Sequence, residues 1–287
     1  MAHAHPTLIT QKQVAALLHK RPRDSHKGMF GTVAVIGGGN GMVGAALLAG
    51  RAALKLGAGC VHVGLLADNA PGVDTQYPEL MLHKAADALQ LPGLSVIAIG
   101  CGMGQSISAQ RILQEALKLD TPLVLDADAL NLLAVHPELH SQLSARQACT
   151  VITPHPGEAA RLLGKSTADI QTSRPESTLE LSRQFNCNVV LKGAGSLCVS
   201  NEGKIWLNNT GNPGMSSPGM GDVLSGMIAA FIAQGLSADN AMLLAVHLHG
   251  AAGDALAHQQ ASIGMSATEV TEWARWLLNK WITKRFL

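Results

Sequence analysis

Thr210-Gly-Asn-Pro-Gly-Met-Ser-Ser-Pro-Gly-Met-Gly-Asp222 runs straight into a stretch where Val223, Leu224, Met227, Ile228, Phe231 and Ile232 recur at helical spacing, with Gly235 as the stop. Glycines at 211, 214, 219 and 221 let the backbone approach a ligand without Cβ clashes. The helix that follows points free N–H groups and the positive end of its dipole into the loop, which suits a phosphate. Asp222 puts a carboxylate where anions are meant to bind. Such a group makes sense as a base that takes a proton from a hydroxyl while the loop holds the transferring phosphoryl group. The competing reading is an aspartate that only stabilises its own helix, and the glycine density weighs against it.

Working outward, hydrophobic residues make up 47% of the 287 and charged residues 14%, so much of the chain is interior and a sizeable core is expected. The net charge of +1, with no basic cluster larger than Lys20-Arg-Pro-Arg23, argues against a nucleic-acid partner. No apolar run reaches the length of a membrane span. Met1-Ala-His-Ala-His-Pro6 lacks the form of a signal peptide. Cysteines 60, 101, 149, 187 and 198 form no C-x-x-C pair, and three lie in apolar runs as buried thiols; a reducing cytoplasm is the expected home.

Strands are expected at Thr32–Gly37, Cys60–Leu66, Ser95–Gly100, Pro122–Asp126, Cys149–Thr153 and Asn188–Lys192, with helices at 44–56, 106–119, 128–135 and 172–186 between them. Val33-Ala-Val-Ile36 and Val189-Val-Leu191 are apolar on both faces, as strands of a covered parallel sheet are. Ser196–Ser200 and Lys204–Asn208 read as an antiparallel hairpin. Helices at 222–234, 237–258 and 266–282 close the chain. One α/β domain over residues 1–287 is expected, its mostly parallel sheet carrying helices on both faces.

Gly37-Gly-Gly-Asn-Gly-Met-Val-Gly44 spells G-x-G-x-x-G from 39 to 44, and Asp68 lies where a ribose-binding acid belongs. That is the case for a Rossmann dehydrogenase, but it leaves the Gly-Asp loop near the C-terminus unexplained. Leu163-Gly-Lys-Ser166 imitates a P-loop end, yet Ala159 stands where its first glycine is required, so Gly164 reads as a helix stop. Asp126 sits at a strand's carboxyl edge, where ligands of parallel sheets bind; Asp128 reads equally as ligand or helix cap. In Thr153-Pro-His-Pro-Gly-Glu158, two prolines hold His155 over the sheet edge for ligand contact. Glu158 either orients a magnesium-bound water or favours its helix terminus. Lys192 ends an apolar strand where it can meet nucleotide phosphates. His247-x-His249 does not share a helix face, and His136-x-x-x-His140 contains Pro137 in an expected loop, so both read as structural rather than zinc-binding.

Taken in order, Ser25-His-Lys-Gly28, Gly31-Thr-Val-Ala-Val-Ile-Gly37, Gly44-Ala-Ala-Leu-Leu-Ala49, Gly57-Ala-Gly59, Leu125-Asp-Ala-Asp128, Thr153-Pro-His-Pro-Gly-Glu158, Leu191-Lys-Gly-Ala-Gly195, Gly211-Asn-Pro-Gly214, Gly219-Met-Gly-Asp222 and His249-Gly250 resemble the ADP- or ATP-dependent NAD(P)H-hydrate dehydratases, a branch of the ribokinase-like fold. The resemblance spans residues 25 to 265. Its T-P-H-x-G-E and G-N-P-G-M…G-x-G-D combination is specific, because sugar kinases of the fold share only the last element.

The resemblance implies a three-layer ribokinase-like domain that repairs the S epimer of NAD(P)H hydrate with ADP, ATP being the other candidate. The C6 hydroxyl is phosphorylated, phosphate is eliminated, and AMP and phosphate are released. Asp222 is implied as the base. Lys192, Gly193, Ala194, Gly195, Ser196, Gly219, Met220 and Gly221 are implied to bind nucleotide; Ala45 or Ala46, Gly104, His155 and Asp222 are implied to line the hydrate pocket. Magnesium is implied with the nucleotide, its ligands unnamed, and a cytoplasmic homotetramer is implied as the assembly. The length leaves no room for the epimerase domain that some relatives carry. Members usually have Gly where Pro218 stands, Gly-Pro-Gly where Gly100-Cys-Gly102 stands, and an aromatic within 40–43; the last two departures are expected not to touch the chemistry. The alternatives are a hydroxyl kinase resembling hydroxyethylthiazole kinase and a nucleotide-binding sensor without catalysis; the intact Asp222 speaks against the sensor.

Overall fold

Val33 and Val35 point to one side of their strand and Ala34 and Ile36 to the other, and all four are fully buried. Such two-sided burial requires cover on both faces of the sheet. The computed structural model, which describes residues 6–285, supplies it. Residues 1–5, most of the stretch read against a signal peptide, lie outside the described residues.

The strands are β1 (Thr7–Leu8), β2 (Thr32–Gly37), β3 (Cys60–Leu65), β4 (Met81–Lys84), β5 (Val96–Ile99), β6 (Leu123–Leu125), β7 (Thr150–Ile152), β8 (Asn188–Leu191), β9 (Leu197–Val199) and β10 (Ile205–Leu207). Among the described residues they form one ten-stranded sheet in the order β1-β10-β9-β8-β7-β6-β5-β2-β3-β4. Strands β2 to β8 are mutually parallel, and β9 runs against both β8 and β10 as the expected hairpin. The chain leaves β2 towards β3 and β4, then returns to β2's other side as β5. That reversal opens a crevice at the carboxyl ends of β2 and β5, the place where open α/β sheets bind ligands.

The helices are α1 (Gln11–Ala15), α2 (Val43–Lys55), α3 (Ala85–Leu89), α4 (Ile107–Lys118), α5 (Asp128–Val135), α6 (Pro137–Ser144), α7 (Pro156–Leu163), α8 (Thr167–Thr172), α9 (Arg174–Phe185), α10 (Met220–Ala233), α11 (Ala238–Gln259) and α12 (Ala267–Arg285). Helices α1, α2 and α10–α12 cover the face of Val33 and Val35; α3–α9 cover the face of Ala34 and Ile36. The short β1, α1, β4, α3 and α8 carry too few residues to show a periodicity, and the sequence reading missed them. Pro137 is not in a loop: it opens α6, where its missing N–H is one that the first turn leaves unbonded anyway. The helix expected at 172–186 is found as α9, and the missed α8 precedes it, separated by Ser173. Gly164 does end α7, in the left-handed conformation.

Helix α10 is the most enclosed, and its crossing with α2 depends on Gly226, where a Cβ would run into the Ala49 carbonyl oxygen. Gly226→Ala is therefore expected to lower stability by about 1–3 kcal/mol in urea unfolding. Alanine otherwise favours a helix interior by roughly 1 kcal/mol, so a net loss isolates the clash.

Candidate active site

The loops after β2, β5, β6, β7 and β8 and the segment before α10 meet over the carboxyl edge of the sheet, and each brings one part of the site. After β6 comes Asp126, 1% exposed and fully engaged. Its Oδ1 lies 2.6 Å from Lys192 Nζ and accepts the Ala127 N–H at 2.9 Å, while Ser225 donates to Oδ2 at 2.8 Å. Burial alone would raise this carboxyl, but the Lys192 ammonium, with Ser225 and Thr153, holds it below the usual range. Lys192, after β8, reaches a second carboxylate, Glu158, at 3.8 Å. Burial pulls the lysine down and Asp126 and Glu158 more than restore it, so the ammonium stays charged. Burial keeps Glu158 above its usual range despite that cation.

Asp222 stands in the first turn of α10, behind the left-handed Gly219 (φ 89°) that caps the helix. Oxygens of Asp222 and Asp126 and the Cys101 sulfur lie within 4.8 Å of one another. Burial, reinforced by Asp126, pushes the Asp222 carboxyl up to about 6, with Cys101 and Lys192 opposing. An aspartate serving only the helix dipole would be shifted down. A carboxyl raised this far can exchange a proton near neutral pH. Pro218 is exposed and precedes the cap, so the N–H it lacks is not one of the first-turn donors of Met220, Gly221 and Asp222.

A cavity of about 710 Å³ opens beside this corner, between Lys192–Ser196 and the 207–213 segment, with Gly221 and His249 in its lining. The volume falls in the range of ligand pockets. Gly193 (φ 127°) and Gly195 (φ 68°) give the first wall its turn. Arg174, which no sequence signal marked, holds that wall: its Nη2 donates to the carbonyls of Leu191, Lys192 and Gly195 at 3.2–3.3 Å. Asp254, also missed, ties the other wall by accepting from Gly211 N and Asn212 Nδ2 at 2.9 and 3.0 Å. Gly219 does not line the cavity; it packs against Leu48 of α2.

On the opposite side, the Gly37–Gly44 and Gly100–Gly104 loops are stitched by Gly38 N to Cys101 O and Gly39 N to Gly102 O, at 2.9 and 2.7 Å. Ala45 keeps some exposure here, but Ala46 is fully buried, so its side chain is closed to any ligand. Asp68 is paired with Asn40 through both its backbone N–H and its carboxylate, which fastens the glycine loop. Asp128 is not the helix cap, a place taken by Ala127 (φ 48°); its carboxylate accepts from Gly104 N at 2.9 Å and so anchors the facing loop. His155 caps α7, its Nδ1 accepting from Gly157 and Glu158 N–H while Glu158 accepts from His155 N. Burial, with Lys192 and Arg161, keeps that ring neutral, so the proton of this half-exposed side chain sits on Nε2, 3.3 Å from Glu158 Oε1.

His247 Nδ1 pairs with Asn208 Oδ1 at 3.2 Å, whereas His249 Nε2 is buried without a hydrogen-bond partner among the described residues and burial pushes the ring down to about 4. Cys101 is not remote from the chemistry as expected but in its innermost corner. Its thiol, raised well above the ordinary range by burial, does not suit magnesium, which prefers oxygen ligands. With Asp126 already paired to Lys192 and accepting from Ala127 and Ser225, the cluster does not fit that ion. Among the described residues, no helix is long and apolar enough to cross a membrane.

A family profile for NAD(P)H-hydrate dehydratases matches residues 33–275. The ADP-dependent (S)-NAD(P)H-hydrate dehydratase of Neisseria meningitidis is 41% identical over 268 residues, covering 92% of this chain and 90% of its own. The bifunctional NAD(P)H-hydrate repair enzyme of Coxiella burnetii is also 41% identical, over 95% of this chain, and this chain spans 55% of its length. The crystal structure of the Bacillus subtilis ADP/ATP-dependent NAD(P)H-hydrate dehydratase with ATP/Mg2+ superposes with a TM-score of 0.84 at 29% identity, covering 96% of this chain and 99% of that one. A hydroxyethylthiazole kinase from Pyrococcus horikoshii, 18% identical with a TM-score of 0.63, shares the fold. Its sequence over most of its length, together with the ribokinase-like sheet and the Gly-Asp helix start, shows that the chain belongs to the NAD(P)H-hydrate dehydratase family.

Proposed function

We propose that this chain is, in one domain, an ADP-dependent dehydratase of the S epimer of NAD(P)H hydrate. The observation that carries the reading is Asp222, a carboxylate poised near pH 6 at the amino end of α10, next in sequence to a residue that lines the cleft. ADP occupies the cleft, held by Lys192–Ser196, Met220 and Gly221, with Gly219 shaping the turn behind them. The hydrate lies against Ala45, Gly104 and the His155 Nε2–H. Asp222 takes the proton of the C6 hydroxyl, and that oxygen attacks the terminal phosphorus of ADP. The bond to AMP breaks, and the free first-turn amides of α10 and the Lys192 ammonium stabilise the charge on the moving group. The C6–O bond then breaks with phosphate as leaving group, assisted by the ring nitrogen's lone pair. Loss of the C5 proton restores the double bond.

Magnesium enters with the nucleotide, bound by its phosphates and water, as that ion commonly is. A cytoplasmic homotetramer is the assembly proposed with this activity. The test mixes protein, magnesium, hydrated NADH and either ADP or ATP. Recovery of reduced-nicotinamide absorbance with one AMP and one phosphate per turnover is expected with ADP. Accumulation of a phosphorylated hydrate without that recovery would mean a kinase, and an untouched hydrate would end the proposal.

Arg174→Met should raise the KM for ADP by about tenfold, corresponding to roughly 1.4 kcal/mol, because the nucleotide wall loses its charged brace. Turnover at saturating ADP should change much less, since Arg174 does not reach the reacting corner. Steady-state ADP titrations separate the two.

A further inference from the structure

Cys101 follows β5 between Gly100 (φ 122°) and Gly102 (φ 58°) and is wholly enclosed. A side chain at Gly100 would collide with the Asp126 backbone, so this turn lies directly on the strand end that carries the ion pair. The Cys101 sulfur is within 4.8 Å of carboxylate oxygens of both Asp126 and Asp222. Burial and those two carboxylates keep the thiol protonated, so its S–H is available as a donor. Asp126 already accepts from Lys192, Ala127 and Ser225. Asp222 is the carboxylate that the proton can serve.

We infer that Cys101 is a positioning residue for the base: its S–H holds the Asp222 carboxylate in place and favours the ionised form, leaving the other lone pairs to face the substrate hydroxyl. This rests on the reading of Asp222 as the base. Four groups bear on that carboxylate: Asp126 after β6 and Asp128 on α5 disfavour its charge, while Cys101 after β5 and Lys192 after β8 favour it. Of the two favourable groups, Lys192 is committed to other carboxylates. Cys101 is left as the group dedicated to the base.

The test compares Cys101→Ala, Cys101→Val and Cys101→Ser with the native protein, recording kcat, both KM values and the pH profile of kcat/KM. Alanine and valine should move the acid limb upward by on the order of half a unit and lower kcat by about twofold at pH 6 and threefold below it, with the KM for ADP unchanged. Serine, which keeps a donor, should restore the native limb. Valine retains bulk, so the valine–serine pair decides the matter if the alanine variant does not fold. An unmoved limb in the donorless variants, or equal losses in all three, would overturn the role and leave Cys101 as packing. Wild-type turnover in Asp222→Asn would instead remove the base reading itself.

Discussion

Asp222→Asn should cut kcat by about 10³-fold while making the protein more stable at neutral pH. Both effects have one origin. The folded protein raises this carboxyl from 3.8 to about 6, chiefly by burial and the nearby Asp126. Below 3.8 the group is protonated in both folded and unfolded chains and costs nothing. Between 3.8 and about 6 the unfolded chain releases the proton while the folded one retains it, so stability falls as pH rises. Above 6 the penalty is complete, on the order of 3 kcal/mol. Asparagine imitates the protonated form and escapes it. Urea unfolding should therefore find the variant more stable at pH 7.5, with the gap narrowing towards pH 5. Native kcat/KM should decline as pH falls through about 6, where the base gains its proton. A variant that is inactive and also less stable at pH 7.5 would recast Asp222 as a helix-stabilising residue.

Lys192→Met should be the most damaging single change to the fold, at about 3–5 kcal/mol, because it strands two buried carboxylates. In the native protein the Asp126 carboxyl is depressed, so its contribution is present above the unfolded value and is lost as pH falls through the folded one. The Lys192 ammonium is raised, so its contribution is present below 10.5 and is lost as pH climbs through its folded value. Neutral pH lies inside both windows. Without the cation, burial dominates Asp126 as it already does Glu158, and both then favour the proton. The variant should consequently be more stable at pH 5 than at 7.5. Lys192→Met combined with Asp126→Asn should regain much of the stability and none of the turnover. Should the single variant unfold at the native urea concentration, the ion pair contributes little and Lys192 matters only for ligand.

What the chain alone made legible was what local geometry encodes. Two-sided apolar runs marked β2 and β8, helical spacing marked α10, and a glycine marked the stop at 164. These follow from side-chain periods of 2 and 3.6 and from φ restrictions, which act over a few residues. Asp222, Lys192 and His155 could be singled out for the same reason: each follows a strand or opens a helix. Their partners could not. Lys192 meets Asp126 across 66 residues and Ser225 meets it across 99, while Arg174 braces a wall 17 to 21 residues away. Asp128 left the cap for Gly104, and Cys101 moved from bystander to neighbour of the base. A parallel sheet gathers distant strand ends on one edge, and the charge a carboxylate keeps there depends on burial and through-space distance. Neither quantity has a period in the sequence, so only the tertiary structure decided which acid is paired with a cation and which carboxyl is raised.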